Sequence, residues 1–138
     1  MERTYYIMHT LYCHGIPILP KLLMLWIRIV YNAYLPPQVF IGPDVNFGHK
    51  MGIVINPNAR LGSRVKLRHH VTIGSGSAVI GNDVEFGAGA KVIGNVKIGD
   101  RAKIGANAVV VHDIPADATA VGVPAKVVRI NLKETTSS

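Results

Sequence analysis

Two histidines, His49 and His69, carry the clearest chemistry in the chain. An imidazole can take up a proton near neutral pH, so it suits the role of general base. His49 sits in Gly48-His49-Lys50-Met51-Gly52 and His69 in Leu67-Arg68-His69-His70. A six-residue period puts both in one column with Ala88 and Ala106, neighbours spaced by about 4.8 Å, the separation of paired strands. Two imidazoles followed by two methyl groups leave backbone amides open to an extended ligand. The competing reading is a pair of solvated surface histidines. His70 falls one column over, His112 belongs to another face, and His9 and His14 lie outside the repeat. Cys13 sits outside the repeat, which argues against a thiol nucleophile. No serine elbow, P-loop or dinucleotide glycine motif is present, and Gly87-Ala88-Gly89-Ala90 is part of the repeat itself.

What must position those side chains is a six-residue period. Ile98-Gly99-Asp100-Arg101-Ala102-Lys103 is followed at once by Ile104-Gly105-Ala106-Asn107-Ala108-Val109. Each unit opens with an aliphatic residue, has Gly second and a small residue fifth. The same step gives openers at Ile41, Phe47, Ile55, Leu61, Leu67, Ile73, Ile80, Phe86, Val92 and Val110. Fifth positions read Val45, Met51, Ala59, Val65, Val71, Ser77, Val84, Ala90, Val96, Ala102, Ala108 and Ile114. A short period held this long predicts a parallel β-helix of hexapeptide repeats, from Ile41 to about Pro115. An ordinary β-sandwich is the alternative, but alternation does not enforce a period of six. One hexad cannot bury its opener; stacked coils bury all of them in one column. Glycine at the second position is expected to permit the corner turn. Two extra residues separate Phe47 from Ile55 and one separates Ile73 from Ile80, and such extra residues extrude on one face.

The chain of 138 residues is expected to be one domain with a narrow core, stabilised by end caps and partner subunits. The net charge of +7 suggests an anionic ligand or surface. Nucleic acid fits poorly, because aromatics and cations do not interleave in any stretch. A single cysteine gives no disulfide framework or metal cluster and suits a reducing cytoplasm. No cleavable signal peptide is expected.

Residues 1–38 read as an N-terminal helical segment, 39–130 as the repeat domain and 131–138 as a flexible tail. Tyr5 to Tyr12 suggests a short helix ending at His14-Gly15, with Pro17 and Pro20 breaking it. Leu22 to Tyr31 suggests a second helix, apolar nearly all round, that caps the open end of the coil or packs between subunits. The alternative is peripheral contact with the inner membrane through Lys21, Arg28 and Trp26. Ala120 to Arg129 is expected to form a closing strand.

From Pro36 to Arg129 the chain resembles the hexapeptide-repeat acyltransferases of the left-handed β-helix fold. Gly48 to Ile55 is similar to the serine acetyltransferase segment carrying the catalytic histidine. Lys66-Leu67-Arg68-His69-His70-Val71-Thr72-Ile73-Gly74 resembles acetyltransferases of exopolysaccharide clusters, of the colanic-acid type. Ile104 to Val110, Asp113-Ile114-Pro115 and Val121 to Lys126 resemble the family's C-terminal signature. The resemblance implies an all-β fold, a left-handed parallel β-helix with a short α-helical N-terminal segment, assembled as a homotrimer. It implies an acetyl-CoA-dependent O-acetyltransferase without a metal, with His49 and His69 as catalytic residues. Gly74, Ser75, Gly87, Ala88, Gly105, Ala106, Lys126 and Arg129 would bind acetyl-CoA in a groove between subunits, the last two meeting its phosphates.

The chain departs from the serine enzymes. On the resemblance, their large helical N-terminal domain is expected to be absent; Gly48 stands where they carry an acidic residue, and a long loop is reduced to Ser75-Gly76-Ser77-Ala78. These departures favour a sugar or polysaccharide precursor as acceptor, in polysaccharide biosynthesis. Serine O-acetylation is the first alternative. A non-catalytic or metal-binding β-helix trimer, with His49, His69 and His70 as candidate ligands, is the second.

Overall fold

The computed structural model describes residues 1–131; most of the proposed tail therefore lies outside the described residues. Two helices open the chain, α1 (Glu2–Cys13) and α2 (Leu19–Tyr31). Twelve two-residue strands follow: β1 (Phe40–Ile41), β2 (Asn46–Phe47), β3 (Val54–Ile55), β4 (Arg60–Leu61), β5 (Lys66–Leu67) and β6 (Thr72–Ile73), then β7 (Val79–Ile80), β8 (Glu85–Phe86), β9 (Lys91–Val92), β10 (Lys97–Ile98), β11 (Lys103–Ile104) and β12 (Val109–Val110). A hairpin, β13 (Ala118–Val121) and β14 (Lys126–Ile130), closes the order.

These strands wind into a left-handed parallel β-helix of three faces. One face pairs β1-β4-β7-β10, another β3-β6-β9-β12, and the third β2-β5-β8-β11-β13-β14. In every two-residue strand the second residue is the hexad opener and is buried, while the first faces outward, as alternation along a strand demands. The openers and fifth residues thus form one apolar column, and no polar residue is buried among the described residues.

The corners refine the glycine argument. The turn is made at the fourth residue, not the second: Asp44, Arg64, His70, Asp83, Arg101, Asn107 and Asp117 all have φ between 56° and 61°. Glycine at the second position answers a different constraint, the close approach of the next coil. A Cβ on Gly87 would stand 2.5 Å from the Ala106 nitrogen, and one on Gly42 2.6 Å from the Gly62 carbonyl carbon. Polar ladders bind successive coils at the corner after the first face. Asn82 accepts from the Ser63 amide and Asp100 from the Asn82 amide, and Arg64 and Arg101 fork onto Asp83 and Asp117.

Two residues at nominal fifth positions are displaced by the insertions. Met51 is 57% exposed and Ser77 is exposed, and their inward places are taken by Ile53 and Ala78. Each extra residue comes before the fifth position and pushes the nominal occupant out of phase.

The open N-terminal end is capped mainly by α1 rather than α2. Tyr5 and Met8 are fully buried with Leu35 and Val39; the Tyr5 hydroxyl donates to the Val39 carbonyl and the Tyr6 hydroxyl to Gly42 at 2.6 Å. Pro20 does not end a helix; it lies in the first turn of α2, where a missing N–H costs no intrahelical bond. The second helix inserts Ile27 into the core but leaves Leu22, Leu25, Trp26 and Ile29 exposed in the single protomer. At the other end the expected closing strand is a hairpin, with β13 parallel to β11 and β14 antiparallel to β13.

Candidate active site

The third face sets the geometry. Phe47 pairs with Leu67, Leu67 with Phe86 and Phe86 with Ile104, so the corners that follow are stacked. His49, His69, Ala88 and Ala106 come two residues after these openers and share one edge of the column. The imidazoles of His49 and His69 lie 5.6 Å apart, ring planes at 82°, and those of His69 and His70 lie 5.5 Å apart at the same angle. His49 is exposed and His69 half-buried, with its Nδ1 shielded from solvent and lacking a hydrogen-bond partner among the described residues.

The two extra residues of this coil give His49 its setting. His49 turns at φ 47°, the Met51 amide closes onto the His49 carbonyl, and the His70 amide donates to the Met51 carbonyl at 2.9 Å. The bulge is pinned from α1, where Glu2 meets Lys50 at 3.0 Å and accepts from the Phe47 amide. Partial burial pushes the Glu2 carboxyl upward, but hydrogen bonds from its own backbone, Lys50 and Phe47 outweigh it, leaving it below its ordinary value. The anchor therefore stays ionised at neutral pH.

Beside His49 opens a recess of about 270 Å³, lined by Asn46, Gly48, His49, Lys66, Leu67 and Arg68. Gly48 has room: a Cβ there would meet only the Leu67 carbonyl oxygen, at 3.9 Å. Lys66 is held by Glu85 at 3.1 Å.

The residues named from the sequence fall into three groups. Gly87, Ala88, Gly105 and Ala106 continue the edge that carries His49 and His69. Lys126 and Arg129 are exposed on β14, at the end of the same face. Gly74 and Ser75 follow β6 on another face and so occupy the next corner of the coil, not the histidine column. Among the described residues no group of three His, Cys, Asp or Glu side chains is placed to hold a metal ion.

Arg68 is the residue that sequence reasoning passed over. At the second position of the third-face hexads stand Gly48, Arg68, Gly87 and Gly105. A charged side chain in a column otherwise of glycines was a legible signal, since its neighbours carry no side chain and Gly48, on the coil before it, has open room.

Comparison with known proteins places the arrangement among relatives. The family description "Bacterial transferase hexapeptide (six repeats)" matches residues 77–112. A serine acetyltransferase of Helicobacter pylori is 36% identical over 131 residues, covering 90% of this chain and 77% of that protein. Against other curated serine acetyltransferases the chain spans about half of their length. The crystal structure of Neisseria gonorrhoeae serine acetyltransferase superposes with a TM-score of 0.88 at 38% identity, over 94% of this chain and 52% of that one. A serine acetyltransferase in complex with CoA superposes at 0.85 and 35% identity, over 91% and 54%. These relatives carry serine acetyltransferase names, so the exopolysaccharide branch, the sugar acceptor and the role in polysaccharide biosynthesis lose their footing to the serine alternative. Gly48 and the short loop, on which the sugar reading rested, are differences within a relationship that extends over nearly the whole chain. Membrane contact gains no support either, and no helix among the described residues is long and apolar enough to cross a membrane.

Proposed function

This chain belongs to the serine acetyltransferase family of hexapeptide-repeat transferases, and from that premise we propose that it transfers acetyl from acetyl-CoA to the hydroxyl of serine or a closely similar small acceptor. The observation that carries the reading is the position of His49, exposed at the mouth of the recess and stacked edge-on against His69. His49 takes the proton from the acceptor hydroxyl as its oxygen attacks the thioester carbonyl. The tetrahedral oxyanion is met by a backbone N–H along the same edge, and its collapse expels the CoA thiolate. A positioned alcohol and a base suffice, so no acyl-enzyme is needed.

His69 serves as the second imidazole of the site, orienting His49 or the acceptor. Pantetheine runs along Ala88 and Ala106, whose small side chains keep the edge open, and Lys126 and Arg129 meet the phosphates of CoA. Gly74 and Ser75 join this set only from a neighbouring subunit, since their corner is a different one. A homotrimer with the CoA groove between subunits accommodates that, and it covers apolar surface that a lone protomer exposes. The test is steady-state acetyl transfer from acetyl-CoA to L-serine, followed by thiol release. Turnover of serine supports the reading; inert serine with active hexose acceptors overturns it in favour of a sugar.

A further inference from the structure

The acceptor recess is lined by cationic and neutral groups, and its one break in a column of glycines is an arginine. Arg68 follows Leu67, which pairs with Phe47, so it stands level with Gly48 on the outer surface of the third face. The next coil offers Gly87 at the same level and the one after it Gly105. Neither flanking coil carries a side chain at this level, and the open room is on the Gly48 side, where an added Cβ would meet only the Leu67 carbonyl oxygen at 3.9 Å. The recess of about 270 Å³ joins Arg68 to His49. The cations nearby are already engaged: Lys66 is bonded to Glu85 and Lys50 to Glu2. Among the described ion pairs Arg68 has no carboxylate partner. None of the six residues lining the recess is acidic.

We propose that Arg68 is the acceptor-anion group of this site: it binds the carboxylate of a small hydroxy acid and sets its hydroxyl against His49, while the acceptor's ammonium, where there is one, is not read. The inference rests on the acetyl-transfer reading and adds a substrate class to it. A planar guanidinium forks onto a carboxylate through two parallel N–H bonds, which fixes direction as well as affinity. An ammonium is held best by a carboxylate, and the recess lining supplies none. Asn46 offers only a neutral carbonyl.

Three alcohols separate the two recognition elements: L-serine, 3-hydroxypropanoate, which keeps the carboxylate without the amine, and ethanolamine, which keeps the amine without the carboxylate. With the full chain and acetyl-CoA, serine and 3-hydroxypropanoate are expected to have kcat/KM within about tenfold of each other, and ethanolamine to fall at least ~30-fold below, the range expected for losing one charge-assisted hydrogen-bonded pair. Arg68→Ala should raise the KM for both carboxylates by ~10–100-fold while leaving the KM for acetyl-CoA unchanged, and Arg68→Lys should recover part of the loss. Ethanolamine used as well as 3-hydroxypropanoate overturns the proposal. So does an Arg68→Ala variant whose defect is in acetyl-CoA, which would move Arg68 to the CoA phosphates. If none of the alcohols is acetylated, the proposed transfer to serine-like acceptors fails on its own, and calorimetric titration of 3-hydroxypropanoate decides this inference separately: binding present in the wild type and lost in Arg68→Ala sustains it, and equal binding or none overturns it.

Discussion

The imidazoles of His49 and His69 meet edge to face, 5.6 Å apart and nearly perpendicular, on successive coils of one face of the β-helix. They are twenty residues apart in sequence, two more than three hexads, because the extra residues between Phe47 and Ile55 leave the register of β2 and β5 intact while extruding His49. The exposed ring is free to meet a substrate, and the half-buried one can hold it.

His49→Ala should therefore lower acetyl transfer by ~10²–10⁴-fold, the usual worth of a positioned base, with CoA affinity nearly intact by calorimetry. Turnover unchanged with serine as acceptor removes His49 from the mechanism. His69→Ala is expected to cost less than His49→Ala, and a larger loss reverses their roles.

Small side chains at the third position keep the proposed CoA edge open. Ala106 is exposed, so Ala106→Trp fills the groove without entering the core. Loss of CoA binding with an unchanged thermal midpoint is the expected result. Retained affinity takes the edge out of the site.

Glycines at equivalent hexad positions should differ in tolerance. Gly87→Ala drives a methyl against the backbone of the next coil and is expected to destabilise by ~1–3 kcal/mol, as overpacking does. Gly48→Ala meets only an ordinary contact at 3.9 Å and should leave the melting temperature nearly unchanged. Equal shifts for the two in thermal denaturation contradict the close-approach account.

The cap has an alkaline limit. Burial, followed by the nearby Tyr6 and Cys13, raises the Tyr5 phenol above its ordinary value of 10. A folded value above the unfolded one means that the stabilisation is complete below about pH 10 and is lost as the pH climbs from there toward the raised value. Melting temperature should fall more steeply above pH 10 in the wild type than in Tyr5→Phe, which has no proton to lose. Parallel curves would show that Tyr5 does not titrate on unfolding.

A period of six with an apolar opener declares a β-helix because only stacked coils bury every opener, and that constraint is local enough to read along the chain. Phe47, Leu67, Phe86 and Ile104 could be aligned by counting, and the histidine edge came with them. Counting failed where a physical constraint acts between coils or across the molecule. The sequence could not say that most second-position glycines, though not Gly48, are demanded by the next coil while the fourth residue makes the turn, since either reading puts a glycine near the corner. Nor could it say that Met51 and Ser77 are expelled in favour of Ile53 and Ala78, because where an extra residue is extruded depends on which neighbour fits the column. That Glu2, near the start of the chain, pins Lys50 beside the site was likewise decided by the docking of α1 onto the first coil. That Arg68 stands between Gly48 and Gly87 follows from three coils lying in register, which no window of sequence contains.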